Sequence, residues 1–520
     1  MRQHAADSAD PSGQPEPVEG QLVTTDDPIE VDGAIATRVV RLANRRIGEF
    51  ALFLGISAVL HIPALVGRLF SSDEASIASM AMVINHGGKL YHQTADRKPP
   101  IVPYLYAAVF EITGSLDLRP VRAVGVVVLA ITALLLAMEA ERRYGDRRRG
   151  IACGVLFLAA SVTFFPADTQ AATFELFMLL PLTGAVLASR EKRPILAGAC
   201  LALAILCKQT AFTTVIPMAW LLLPQGRRAV VRAGATCAAI IAAVAAFFGP
   251  AQFLLWTLSG NRGYLAIVGP VFPMLLRAFA MNIAFVGFNL ALLALAARAR
   301  FKRDNIDLWL WVASGIFAVV AGFRFFGHYY LQLLPPLSLL AAGAFPLSRS
   351  ALRRAAVIGI AFPSVVMILV GLLTLRTKPT GEYPAVASRI RHIAPPNATM
   401  FVWGQLPELY WASGIEPGTR FIHNAFITGN SGGRVQGAST SSDGMPGAWE
   451  MLEADVSAHL PTVIVDTTNA DVRGSQYYPL RKTPIWPVVR ADYRLVTTVD
   501  HMQVYYLRPN ATPPRDVRTD

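Results

Sequence analysis

Charges that hydrophobic packing does not explain mark where chemistry sits in this chain. Ser71-Ser72-Asp73-Glu74 follows directly on an apolar block, and an amphipathic stretch then runs to Asn85. Next comes HGGKLYHQTADRKPP, in which Asp96, Arg97 and Lys98 stand immediately before a pair of prolines and a second apolar stretch. Charges held at membrane depth are costly and, as a rule, functional. Ser and Asp at such a junction equally suit a helix N-cap, so the acidic pair also has a plain structural reading. Chemically, a carboxylate there can take a proton from a hydroxyl, and nearby cations can stabilise charge building on an anionic leaving group.

The elements that must position these groups are membrane helices. The chain has 520 residues, 53% hydrophobic and only 16% charged, where a soluble protein carries about a quarter charged. The apolar residues gather in blocks long enough to cross a bilayer, which takes roughly 20 residues per helix. The net charge of +12 is spread over short clusters between those blocks, as the positive-inside rule produces. It is a signature of topology, and no nucleic-acid partner is expected. Cys153, Cys200, Cys207 and Cys237 all lie inside apolar blocks, as buried small hydrophobes do, without disulfide or zinc spacing.

The basic clusters set the threading. Arg38, Arg41, Arg45 and Arg46 hold the N-terminus in the cytoplasm, and the clusters at Arg142–Arg149, Arg190–Arg193, Arg227–Arg232, Arg298–Arg303 and Arg349–Arg354 face the same side. Spans fall near 48–70, 121–140, 150–165, 171–189, 195–207, 209–223, 229–249, 272–297, 307–322, 329–347 and 355–375, about eleven crossings. Pro99–Gly114 is short and opens on two prolines. It reads as a juxtamembrane or re-entrant helix on the outer side.

Three regions result: a disordered cytoplasmic tail (1–47), a transmembrane catalytic region (48–375) and a soluble extracytoplasmic domain (376–520). The tail is rich in Asp, Glu, Pro, Ser and Gly to about residue 37, a composition that buries no core. In the last region Thr399–Trp403 and Thr462–Asp466 read as buried strands, Ala448–His459 as an amphipathic helix and Tyr493–Leu507 as a hairpin. The fold class expected is a polytopic α-helical membrane protein with a long first external loop and a small C-terminal α/β domain.

The first-loop pattern D-E-A, G-G-K-L-Y and R-K-P-P-I-V-P-Y-L-Y resembles that of the GT-C glycosyltransferases that use polyprenyl-phosphate sugars, among them protein O-mannosyltransferases and lipid A aminoarabinose transferases. The resemblance implies that Asp73 is the catalytic base, with Glu74 beside it, and that Lys98 contacts the lipid phosphate. It continues in Thr173-Phe174-Glu175, in Leu206-Cys207-Lys208-Gln209, and in the run from Arg324 through His328 and Tyr329 to Pro336. Arg324 and Lys208 would join Lys98 at the donor phosphate. Glu175, Asp168, His328 and Tyr329 would line the substrate site. Each has a plain counterpart: Glu175 suits a helix dipole, Lys98 can snorkel, and Tyr329 suits an aromatic belt.

The expected activity is an inverting transfer from a polyprenyl-phosphate sugar to a glycan, lipid or protein hydroxyl at the outer face of a bacterial cell membrane. A transporter or flippase of a lipid-linked substrate is the rival class. Transporters place charged sites near mid-membrane and often show internal repeats; here the charges gather at one face. No cofactor or metal-ligand spacing stands out, and a divalent cation is left open.

Overall fold

The computed structural model describes residues 30–67, 69–262, 270–299, 301, 303–345, 350–374, 383–430, 432, 437 and 443–511. The described residues divide after Gly48 into two compact units, and everything that positions the site belongs to the second. A helix runs over Glu30–Leu60, so it starts inside the stretch expected to be disordered. The cause is local: after Gly33 the sequence AIATRVVRLANRR holds no Gly or Pro, the two residues that interrupt helices. The remainder of that expectation, residues 1–29, lies outside the described residues.

Every stretch read as a span is at least partly helical, and among the described residues five helices are long and apolar enough to cross a membrane: Arg119–Tyr144, Arg227–Phe248, Val271–Phe288, Arg303–Phe323 and Ser350–Thr374. Large apolar side chains stand exposed on them, including Phe272 (75%) and Phe362 (66%). Such a surface is stable against lipid and not against water. The stretch 272–297 is not one helix, because it breaks at Asn289. There the Asn289 side chain donates to the Phe285 carbonyl at 3.1 Å and accepts from Thr163 Oγ1 at 2.9 Å, tying the break to a neighbouring element. The stretch 209–223 likewise begins as a 3₁₀ turn over Gln209–Thr214. Pro99–Gly114 forms a helix over Ile101–Thr113, closed by Gly114 at φ 60°, a left-handed cap that glycine adopts without strain.

At the end bearing the basic clusters, Arg143 pairs with Glu139 and Asp307, and Arg190 with the same two acids. Both acids are buried. Since buried ions persist only when paired, this network fastens Arg119–Tyr144, Phe174–Arg190 and the helix Ile306–Val320 to one another at that end.

Beyond the last long helix the chain forms a five-stranded sheet in the order β2-β1-β3-β5-β4. The strands are β1 (Thr399–Trp403), β2 (Glu416–Pro417), β3 (Val463–Asp466), β4 (Tyr493–Val499) and β5 (Met502–Leu507). β1 runs parallel to β2 and β3, while β5 is antiparallel to both β3 and β4. The expected helix is present over Ala448–Ala458. β3 is buried throughout, as a strand covered on both faces must be. The sheet region packs onto the first loop: the short helix Glu408–Ser413 lies against the helix Ser72–Asn85, and His86 Nδ1 meets Glu416 at 2.8 Å.

Candidate active site

The helix Ser72–Asn85 is capped by Ser71, whose Oγ accepts the Asp73 amide at 3.2 Å. That hydrogen bond satisfies an amide the helix itself leaves open, so the Asp73 carboxylate is not needed as the cap. It points instead at Lys98, with Oδ1 3.7 Å from Nζ, and its side chain stays 37% exposed. The Lys98 ammonium also stands 4.6 Å from the centre of the Phe174 ring. Burial raises the pKa of Asp73, yet the fields of Lys98, His328, Lys208 and His423 outweigh it and hold the group at about 2. The remaining exposure fits that sign, because a partly exposed carboxylate keeps part of its hydration.

A second charged group stands beside the first. Glu175, in the first turn of the helix Phe174–Arg190, pairs with Lys208 and lies 3.5 Å from His328 Nε2. Lys208 sits where the helix Pro194–Cys207 gives way to the 3₁₀ turn, and its ammonium stands 4.4 Å from the centre of the Tyr329 ring. The other ring nitrogen of His328 meets Asp168 at 2.8 Å. With a carboxylate near each nitrogen, the imidazole pKa is raised: burial lowers it, but Glu175 and Asp168 raise it further. Glycine at 327 permits the approach, since a Cβ there would lie 2.8 Å from that of Asp168. Asp73, Lys98, Asp168, Glu175, Lys208, His328 and Tyr329 therefore come from four distant stretches into one electrostatically linked group.

Two expected residues stand differently. Glu74, expected to share the chemistry of Asp73, is fully buried and turned away from it. Its oxygens take Arg122 at 2.8 and 2.7 Å, the Ala172 amide at 2.9 Å and the Phe70 amide at 3.2 Å. Arg122 Nη1 donates to the Ala64 and Gly67 carbonyls. So occupied, the Glu74 oxygens hold Arg122 and two backbone amides. Replacing Glu74 by Gln would leave Arg122 buried without a counter-charge, a loss of about 3–5 kcal/mol. Unfolding of Glu74→Gln against wild type measures this; a variant of unchanged stability that lost only turnover would return Glu74 to the chemistry. Arg324 donates to the Gly432 carbonyl at 3.3 Å, and its own carbonyl accepts from Arg277 at 2.8 Å. Phe323 and Phe325 on either side have φ of 52° and 49°, strained conformations for bulky residues. Through Gly432, Arg324 is tied to the C-terminal region.

Sequence reasoning passed over three residues of the C-terminal region and one in the membrane. Ser72 Oγ bonds Glu408, a carboxyl whose pKa burial raises, the Ser72 bond lowers and the Asp73 charge raises, for a net increase. His423 is held near pKa 4, first by burial and then by Arg97 and Lys98, against the opposing field of Asp96. Phe426 lies under Arg97, 4.4 Å from the guanidinium carbon. For none of these did the tail carry a motif. Arg122, inside an apolar block, is the one that an inventory of intramembrane charges finds. Among the described residues no three His, Cys, Asp or Glu side chains form a metal-binding group. The nearest candidate, His328 with its two carboxylates, has both ring nitrogens engaged.

The profile of the dolichyl-phosphate-mannose-protein mannosyltransferase family matches residues 97–256. No curated protein sequence matches the chain. Among solved structures, ArnT from Cupriavidus metallidurans bound to undecaprenyl phosphate aligns with a TM-score of 0.57 at 14% identity, over 89% of this chain and 98% of that one. The oligosaccharyltransferase of Archaeoglobus fulgidus, with zinc and sulfate, aligns at 0.50 and 13% identity, over 89% of this chain and 74% of that one. At these identities the likeness is one of fold, and the fold is that of the GT-C glycosyltransferases.

Proposed function

We propose that this membrane protein, GT-C by fold, moves a sugar from a polyprenyl phosphate to an acceptor hydroxyl, with Asp73 as general base. The observation that carries the proposal is the Asp73–Lys98 pair: a partly exposed carboxylate, relieved of capping by Ser71, 3.7 Å from the lysine of an R-K-P-P motif. Asp73 takes the acceptor proton while the acceptor oxygen attacks the anomeric carbon. The bond to phosphate breaks, and the polyprenyl phosphate departs with the electron pair and inversion at carbon. Lys98 stabilises the charge that collects on the leaving phosphate.

The other residues support that pair. Lys208 and Arg324 add positive potential for the phosphate, Lys208 from its pair with Glu175. Glu175, Asp168, His328 and Tyr329 form the wall against which the sugar or acceptor binds. Residues 48–375 would be the catalytic region, and 376–520 an extracytoplasmic domain above it. The site would face the outside of a bacterial cell membrane, and the acceptor would be a glycan, a lipid or a protein. Turnover of polyprenyl-phosphate sugars by the purified chain in lipid tests the proposal; no transfer with any donor, alongside transport of a lipid-linked substrate, would reject it.

A pKa near 2 makes Asp73 a weak base in the free enzyme. A donor phosphate seated on Lys98 would neutralise the first-named cation holding it down, so base strength would rise as the donor binds. The pH profile of kcat/KM reports the free enzyme. A group with a depressed pKa stays ionised as pH falls, so no Asp73 limb should appear between about pH 8 and pH 4. A wild-type acid limb at the ordinary carboxylate value that disappears in Asp73→Glu would contradict this assignment.

A further inference from the structure

We infer that Arg420–Phe426, from the C-terminal region, is a positioning element for Lys98, so that the phosphate-binding end of the site is completed by a segment more than 300 residues away in sequence. The inference rests on the proposed role of Lys98. It begins with Pro99, which restricts the backbone of the residue before it to extended conformations. With that backbone restricted, the direction of the Lys98 side chain follows from where residues 95–97 are held.

They are held at three points. The Ala95 amide donates to the Arg420 carbonyl at 3.0 Å, in a parallel bridge between Ala95 and Phe421. The Arg97 carbonyl accepts from Gln209 at 2.6 Å and from Asn261 at 3.2 Å. The Arg97 guanidinium lies over the Phe426 ring, a cation–π contact that strengthens when water is excluded. The C-terminal side of this clamp is itself braced. Asp455 accepts from the Arg420 amide at 2.9 Å, from its Nε at 3.0 Å and from its Nη2 at 2.7 Å. Phe426 is stacked parallel to His423 with centroids 5.0 Å apart and meets buried Trp256 edge-on at 5.4 Å. Without the Phe426 face, the loop would lose a contact that orients its charged end.

The test uses the full chain in lipid nanodiscs, with Phe426→Leu, Phe426→Tyr and Asp455→Asn. Asp455→Asn loosens Arg420 without altering the aromatic stack, and so remains informative if Phe426→Leu folds poorly. Amide exchange over residues 94–98 and affinity for undecaprenyl phosphate are read for each. Phe426→Leu and Asp455→Asn should exchange faster there and bind about tenfold more weakly. Phe426→Tyr, which keeps the ring, should match wild type in both. Faster exchange with undiminished lipid binding would overturn the inference, since the clamp would then hold the loop without serving Lys98. Unchanged exchange in both weakened variants would overturn it as well. If wild type itself fails to bind undecaprenyl phosphate, the donor role of Lys98 falls, while the exchange data still decide whether the clamp exists.

Discussion

Asp73→Asn should lower transfer from a polyprenyl-phosphate sugar by about 10²–10⁴-fold, the range a positioned general base contributes. The substitution keeps the volume and leaves the helix start intact, because Ser71 and not Asp73 accepts the capping amide. Stability should therefore change little. Undecaprenyl phosphate should bind at least as well as to wild type, since Asn removes the carboxylate that competes with phosphate for Lys98 at 3.7 Å. The signature is a fall in kcat with KM for the donor unchanged or lowered, the pattern of an interaction used in the transition state. Equal kcat in Asp73→Asn and wild type would remove Asp73 from the chemistry and turn attention to Glu408, the buried acid on the neighbouring Ser72.

Lys98→Met should have the second large effect, about 10²–10³-fold in kcat/KM, as for removal of one preorganised group facing a developing anion. Met keeps an apolar contact with Phe174, where the ammonium now stands over the ring. Two consequences separate this charge loss from misfolding. Binding of undecaprenyl phosphate should weaken, and the affinity of Lys98→Arg should recover in part, because the guanidinium restores the cation but not the compact geometry of the amine. The Asp73 pKa should also rise from about 2, since Lys98 is the first-named cation opposing the effect of burial. Unweakened lipid binding in Lys98→Met would place the phosphate elsewhere, with Lys208 and Arg324 next to be tested.

Much of this protein was legible in the chain because lipid leaves a coarse and redundant signature. A helix must satisfy its own backbone polar groups in a bilayer, so apolar blocks of the right length and arginines between them mark the spans without tertiary information. The strands at Thr399–Trp403 and Val463–Asp466 were visible for a related reason: short, continuous apolar runs suit buried strands. Helix breaks were less legible. At Asn289 an apolar stretch breaks where Thr163, far away in sequence, donates to its side chain.

The residue types that carry charge beside the membrane, and the R-K-P-P run that marks Lys98, were determined by the sequence itself. Which of two adjacent acids stays partly exposed was not. Asp73 and Glu74 are equivalent in the chain until Arg122 and the amides of Phe70 and Ala172 claim Glu74. The helix rotates successive side chains by about 100°, so burying one member of the pair directs the other elsewhere. The surroundings of Glu408, His423 and Phe426 also arose only on folding. Each has a neighbour more than 300 positions away, and proximity at that separation is written in the packing of the sheet region on the first loop, not in any local pattern.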